Sequence, residues 1–200
     1  MNESRKIYII RHCEPQFLNN IPICISKTDI PLSDKGIKKA KELKNYFSRM
    51  NVKSVYSSPL ARAKKTAEII ADNKISVEIK DDFSEFNIGK WDGMTFAEIK
   101  EIYPKEYKDR GEDLENYIVE GGESMAMCRD RALKELWNTI VKSNGNIIIV
   151  AHAGVNRAII SSILGISIKE SFLFRHDYGS VNTVIYDGDK LKVIKVGEVV

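Results

Sequence analysis

The chain has 200 residues, 43% hydrophobic and 30% charged, with a formal net charge of +3. That length fits one domain that buries its apolar surface without staples, and so small a charge, scattered over lysines such as Lys38, Lys41, Lys44 and Lys65, argues against a nucleic-acid ligand. Cys13, Cys24 and Cys128 form no CxxC pair and no zinc pattern, no apolar run approaches the roughly 18 residues of a membrane span, and the opening Met1-Asn2-Glu3-Ser4-Arg5-Lys6 carries no signal-peptide pattern, so a reducing cytoplasm is expected.

The first element is Ile7-Tyr8-Ile9-Ile10, whose β-branched and aromatic run reads as a strand buried on both faces, as in a parallel sheet. It ends abruptly in Arg11-His12-Cys13-Glu14, and ligands of open α/β sheets bind outside the carboxyl ends of such strands. Residues 13–33 carry Pro15, Pro22 and Pro31 with Asn19-Asn20 between them, a loop placed over His12. Ser33 caps a helix with Ile37, Ala40, Leu43, Tyr46, Phe47 and Met50 at helical spacing. Residues 52–57 form the second strand. In Ser57-Ser58-Pro59-Leu60-Ala61-Arg62, Ser58 suits a helix cap and Pro59 the first helical position, which puts Arg62 in the opening turn beside amides biased toward anions.

A short third strand covers residues 75–79. Residues 81–124 follow, aromatic and irregular, with helical fragments near 95–101 and 104–110; a connection this long reads as a flap or lid. A long helix from about Ser124 to Lys142 is expected to bury Met127, Leu133, Leu136, Trp137 and Ile140. Ile147-Ile148-Ile149-Val150-Ala151-His152 repeats the opening pattern, and a helix over 155–164 starts just beyond it. Two further runs joined by Asp187-Gly188-Asp189 make a terminal hairpin. The expected fold is a three-layer α/β/α sandwich, a single domain over 1–200 with a flap at about 81–124, a mostly parallel central sheet and an antiparallel C-terminal edge hairpin.

Parallel central strands would deliver His12 and His152 to one edge of the sheet. Arginine forks match phosphate oxygens, and clustered cations oppose protonation of a neighbouring imidazole, so Arg11, His12, Arg62 and His152 suit phosphoryl transfer through a phosphohistidine. A general acid must still protonate the leaving oxygen, and the flap offers carboxyls.

Six blocks in order over residues 7–157 resemble the histidine phosphatase, or phosphoglycerate mutase-like, superfamily. Arg11-His12-Cys13-Glu14 stands where the family has its RHG motif, Pro31-Leu32-Ser33-Asp34-Lys35-Gly36 is similar to its LT-x-x-G segment, and Ser57-Ser58-Pro59-Leu60-Ala61-Arg62-Ala63 with Thr66-Ala67 resembles its SSPL-x-RA-x-x-TA block. Glu85 with Gly89-Lys90-Trp91-Asp92-Gly93, then Gly121-Gly122-Glu123-Ser124, and finally Ala151-His152-Ala153-Gly154-Val155 resemble the remaining blocks. The resemblance implies His12 as nucleophile, Arg11, Arg62 and His152 as phosphate ligands, Glu85 as proton donor and then base, and no metal or cofactor. Asp81, Asp82 and Glu120 are rival carboxylates outside the matching block. Cys13 replaces the motif glycine and is expected to shift His12 or narrow the pocket, with its side chain acting as a small buried hydrophobe. Leu18 occupies a place where many members have asparagine, leaving Asn19 or Asn20 as substitutes; Ser26 is the candidate loop serine, and His176 is expected at the surface or rim.

The compact branch of this family contains broad-specificity and α-ribazole-phosphate phosphatases, so the implied function is metal-independent hydrolysis of a small phosphomonoester, α-ribazole 5'-phosphate or a broad range, with no nucleic acid, no membrane and a homodimer left open. The alternatives are a cofactor-dependent phosphoglycerate mutase, whose paired flap arginines are here reduced to Arg110, and a non-catalytic phospholigand-binding protein. A cysteine phosphatase would need arginine where Asn19 stands.

Overall fold

The computed structural model describes residues 4–200, so the first three residues of the opening segment lie outside the described residues. Six strands form one sheet in the order β3-β2-β4-β1-β5-β6: β1 (Arg5–Arg11), β2 (Val52–Ser57), β3 (Val77–Ile79), β4 (Asn146–Ala151), β5 (Val181–Tyr186) and β6 (Leu191–Glu198). The strands β1 to β4 run parallel, while β5 and β6 pair antiparallel at the edge. The hairpin turn closes through Asp187, whose carboxylate accepts from the Asp189 and Lys190 amides.

Side chains alternate across the pleat, and β1 shows what that does to the core. Ile7 and Ile9 pack with Leu136, Ile140, Val155 and Ile159 of α5 (Met125–Lys142) and α6 (Ala153–Leu164). Tyr8 and Ile10 pack on the other face with Ala40, Leu43, Ala63 and Ala67 of α1 (Asp34–Phe47) and α2 (Ala61–Ala71). Both faces are covered, which is why the strand reads as a continuous apolar run.

The connection over 81–124 holds α3 (Phe96–Ile102) and α4 (Pro104–Glu112) and is tied into the core by Phe83, Trp91, Ile99 and Val119. The chain ends its helices with the four-residue α7 (Ile168–Ser171). Ser33 and Ser124 cap α1 and α5, accepting from the Gly36 and Met127 amides.

Two expectations need correction. Ser58 does not cap α2, which begins at Ala61; the carboxylate of Asp29 accepts from the Ala61 amide at 2.8 Å instead. Met127 and Trp137 are exposed, and α5 buries Met125, Cys128, Ala132, Leu136 and Ile140. The buried stripe uses alanine, cysteine and methionine, a pattern that the larger residues Met127 and Trp137 obscured.

Candidate active site

The parallel pairing of β1 with β4 sets Arg11 opposite Ala151, so the next residues, His12 and His152, leave the sheet side by side. The His12 amide donates to the Ala151 carbonyl at 2.9 Å. The two buried rings lie with centroids 5.0 Å apart. Nδ1 of His12 lies 2.7 Å from the Cys13 carbonyl oxygen, and since a carbonyl can only accept, that nitrogen carries the proton. The lone pair of Nε2 takes no hydrogen bond from any of the described residues. Burial first, and the Arg11 and Arg62 charges second, hold the His12 pKa well below the ordinary histidine value. The neighbouring cations oppose protonation, as expected, but desolvation is the larger cause. Burial likewise lowers His152, assisted by His12 and the arginines. Nε2 of His152 bonds the Ser58 hydroxyl at 2.8 Å, which is what Ser58 does in place of capping.

The guanidinium of Arg62 is fully buried and held by a loop, with Nη1 donating to the Thr28 carbonyl at 3.0 Å and Nη2 to the Ser26 carbonyl at 3.2 Å. That loop is in turn held by Asp92, whose carboxylate accepts from the Ser26 amide (2.5 Å), the Thr28 amide (2.8 Å) and the Thr28 hydroxyl (2.8 Å). Arg11 donates from Nη1 to the His176 carbonyl at 2.6 Å, and its Cζ lies 3.8 Å from the centroid of the Tyr178 ring. Tyr178 also faces His12, with ring centroids 5.5 Å apart.

Glu85 reaches the amino end of α6. Its Oε1 accepts from the Gly154 amide at 3.1 Å and the Val155 amide at 3.4 Å. A Cβ on Gly154 would stand 2.6 Å from that same oxygen, so glycine is required there for the carboxyl to approach. The segment carrying Glu85 is braced by Arg131 of α5, which donates to the carbonyls of Asp82 (2.7 Å), Ser84 (2.9 Å) and Glu85 (3.3 Å) and pairs with Glu123 at 2.6 Å. Glu123 also accepts from the Asn87 amide at 2.9 Å, so the Gly-Gly-Glu-Ser carboxylate acts as a brace for the acid-bearing turn.

Arg11, His12, Ser26 and Glu85 line a cavity of about 320 Å³, with Arg62 and His152 buried behind that lining. Of the four carboxylates weighed from sequence, Glu85 lines it and Asp81, Asp82 and Glu120 do not. The Ser26 hydroxyl is buried and has no partner among the described residues. Asn19 and Asn20 stand exposed on a turn with positive φ and do not line the cavity. His176, expected at the surface, is 5% exposed beneath Arg11, and burial takes its pKa down to about 4.

Cys13 is the small buried hydrophobe expected, but it does not narrow the pocket. Its φ is not positive, it does not line the cavity, and its side chain packs fully buried toward α1 and α2. The room comes from Gly179 (φ +74°), where a Cβ would sit 3.3 Å from the Cys13 sulfur. Burial raises the thiol pKa to about 12, so the group is unreactive.

Sequence reasoning gives Tyr178, Asp92 and Arg131 no role in the site, and Ser58 only that of a helix cap. Ser58 and Asp92 lay inside recognisable blocks, while Tyr178 and Arg131 carried no local signal.

Residues 7–199 match the family model of the histidine phosphatase superfamily (branch 1). Phosphoserine phosphatase 1 of Hydrogenobacter thermophilus is 30% identical over 194 residues, covering 96% of this chain and 91% of its own. The adenosylcobalamin/alpha-ribazole phosphatase of Escherichia coli is 24% identical over 176 residues, 87% of this chain and 86% of its own. Among solved structures, the phosphoserine phosphatase of Entamoeba histolytica in complex with 3-phosphoglyceric acid superposes with a TM-score of 0.84 at 26% identity, covering 97% of both chains.

Proposed function

The chain belongs to branch 1 of the histidine phosphatase superfamily, and from that premise we propose that it hydrolyses a small phosphomonoester through a phosphohistidine. The observation that carries the reading is the state of His12: a buried imidazole, disfavoured from protonating, whose Nδ1 proton is committed to a carbonyl and whose Nε2 faces a cationic cavity.

In this reading Arg11, Arg62, His152 and the Ser26 hydroxyl take the phosphoryl oxygens. Nε2 of His12 attacks phosphorus, a P–N bond forms as the P–O ester bond breaks, and Glu85 gives its proton to the leaving oxygen. Water then attacks the phosphohistidine while Glu85 takes back a proton, and phosphate leaves with His12 regenerated. The fixed guanidinium groups need no reorganisation as charge shifts onto the equatorial oxygens, which is where the rate gain arises.

Hydrolysis is favoured over mutase chemistry because three of the four relatives compared over most of the chain carry phosphatase names, the fourth being named phosphoglycerate mutase-like. Phosphoserine and α-ribazole 5'-phosphate, taken from those names, are the first substrates to try. We read residues 1–200 as one domain in which the 81–124 segment supplies the acid and closes one side of the cavity.

The test is phosphate release from p-nitrophenyl phosphate in EDTA by the wild type and by His12→Ala. Turnover by the wild type alone, with an acid-labile and base-stable phosphoprotein on rapid quench, is expected. Activity retained in His12→Ala would overturn the assignment.

A further inference from the structure

The two arginines of the phosphate site are anchored in different ways. Arg62 donates to two carbonyls of the Ser26 and Thr28 loop and lies 3.8 Å from the Asp29 carboxylate. Arg11 has one such anchor, the His176 carbonyl, which accepts from Nη1 at 2.6 Å. Its Nε is buried without a partner, and no carboxylate pairs with it, among the described residues. A guanidinium held by one hydrogen bond keeps much of the rotamer freedom of its long stem.

What covers Arg11 is Tyr178, whose ring centroid lies 3.8 Å from Cζ. The turn that carries this ring is pinned to the catalytic backbone. The Gly179 amide donates to the carbonyls of Arg11 (3.1 Å) and His12 (3.2 Å), and the Arg11 amide donates to the Ser180 carbonyl (3.1 Å). Burial raises the phenol pKa, so the ring stays neutral and offers Arg11 a face rather than a charge. Two cavities meet here: the catalytic one, and an outer one of about 550 Å³ whose lining includes Glu14, Lys39 and Asp177. Arg11 and Tyr178 line both, so the stacked pair is the partition between them. On the outer side the carboxylates of Glu14 and Asp177 are alternative partners for a guanidinium that leaves the ring.

We propose that Tyr178 is a positioning residue for phosphoryl transfer: its aromatic face holds the Arg11 guanidinium on the catalytic side of this partition and so sets the affinity of the phosphate site. This rests on the phosphatase reading, which gives Arg11 the phosphoryl oxygens. Stacking suits that task better than an ion pair. A ring face attracts the cation from above its plane and leaves the in-plane N–H donors for the phosphate, whereas a carboxylate would occupy those donors and neutralise the charge.

Calorimetry with inorganic phosphate reads the site without turnover, and kcat/KM on p-nitrophenyl phosphate reads the reaction. The proteins are the wild type, Tyr178→Phe, Tyr178→Leu, Tyr178→Gln, and Tyr178→Leu added to Arg11→Met. Tyr178→Leu and Tyr178→Gln both lose the face, one keeping apolar bulk and the other polarity. Each is expected to weaken phosphate binding at least about tenfold, the scale of a desolvated cation–π contact, and to lower kcat/KM at least as far. Tyr178→Phe keeps the face and is expected to stay within about threefold of the wild type in both. With Arg11→Met already in place, Tyr178→Leu is expected to change the phosphate Kd by less than about twofold, because the ring then has no guanidinium to hold. If Tyr178→Leu and Tyr178→Gln bind phosphate like the wild type, if Tyr178→Phe loses as much as they do, or if the loss persists without Arg11, the positioning role is overturned while the phosphatase reading stands. If the wild type neither binds phosphate nor turns over p-nitrophenyl phosphate, the phosphatase reading itself fails, and the role of Tyr178 with it.

Discussion

Replacing Asp92 by asparagine removes the support of Arg62 without touching Arg62 itself. The Asp92 carboxylate accepts three hydrogen bonds from the Ser26 and Thr28 segment, and the carbonyls of those two residues are what Arg62 donates to. Asparagine keeps one acceptor oxygen but turns an amide NH2 toward a backbone N–H, so one bond becomes a clash of donors. Hydrogen bonds to a charged group contribute about 1.5–3 kcal/mol each, and Asp92 is half-buried, so the whole change should cost about 2–3 kcal/mol. For a chain of this size that lowers the melting temperature by roughly 4–12 °C. The loop can then drift by a fraction of an ångström to an ångström, and misplacement of that order costs up to about 100-fold in rate. The assay measures kcat/KM on p-nitrophenyl phosphate and the inhibition constant of inorganic phosphate. A fall of about 10- to 100-fold in the first, and weaker phosphate inhibition, are expected. If the melt drops while both kinetic constants stay within about twofold, the loop does not position Arg62 and the reasoning is refuted.

Arg131→Lys replaces the fork that braces the Glu85 turn with a point charge, so kcat should fall about tenfold or more on an alkyl phosphate, whose leaving oxygen needs a proton, and much less on p-nitrophenyl phosphate, within the span that general acids contribute; equal losses on both substrates would point to a structural role only. His12, His152 and His176 are all held below the ordinary histidine value, chiefly by burial, so the unfolded chain binds more protons than the native one below about pH 6.5 and stability must fall as pH drops through that range. For His176, at about 4, the loss between pH 6.5 and 5.5 is about 1 kcal/mol, and denaturant melts of His176→Phe should show a shallower pH slope by that amount; an unchanged slope contradicts it. Cys13→Gly removes a buried side chain where the backbone needs no glycine, so it should destabilise by about 1–2 kcal/mol and leave kcat within about threefold; a large gain in kcat would show that Cys13 does distort His12.

Much of the sheet and the delivery of both histidines to its edge are legible in the amino-acid sequence. The runs before His12 and His152 are apolar on every residue because both faces of a central parallel strand are covered, and that property belongs to each run by itself. Arg62 is legible because helix-start grammar is local, although the cap is Asp29, 32 positions from Ala61, rather than Ser58. The long-range assignments go astray where local spacing offers nothing. His176 looks like a rim residue, yet packing of its loop under Arg11 buries it. Cys13 looks like an intrusion on the pocket, yet Gly179 opens the space that takes its sulfur away from His12. The links from Asp92 to Ser26 and from Arg131 to the Glu85 turn join residues 66 and 46 positions apart. Local sequence determined which side chains are delivered to the edge of the sheet, because periodicity and caps act within one turn or strand. Which carbonyls, rings and carboxylates then hold those side chains was decided only by tertiary packing, because a hydrogen bond between distant loops depends on where the whole core brings their backbones.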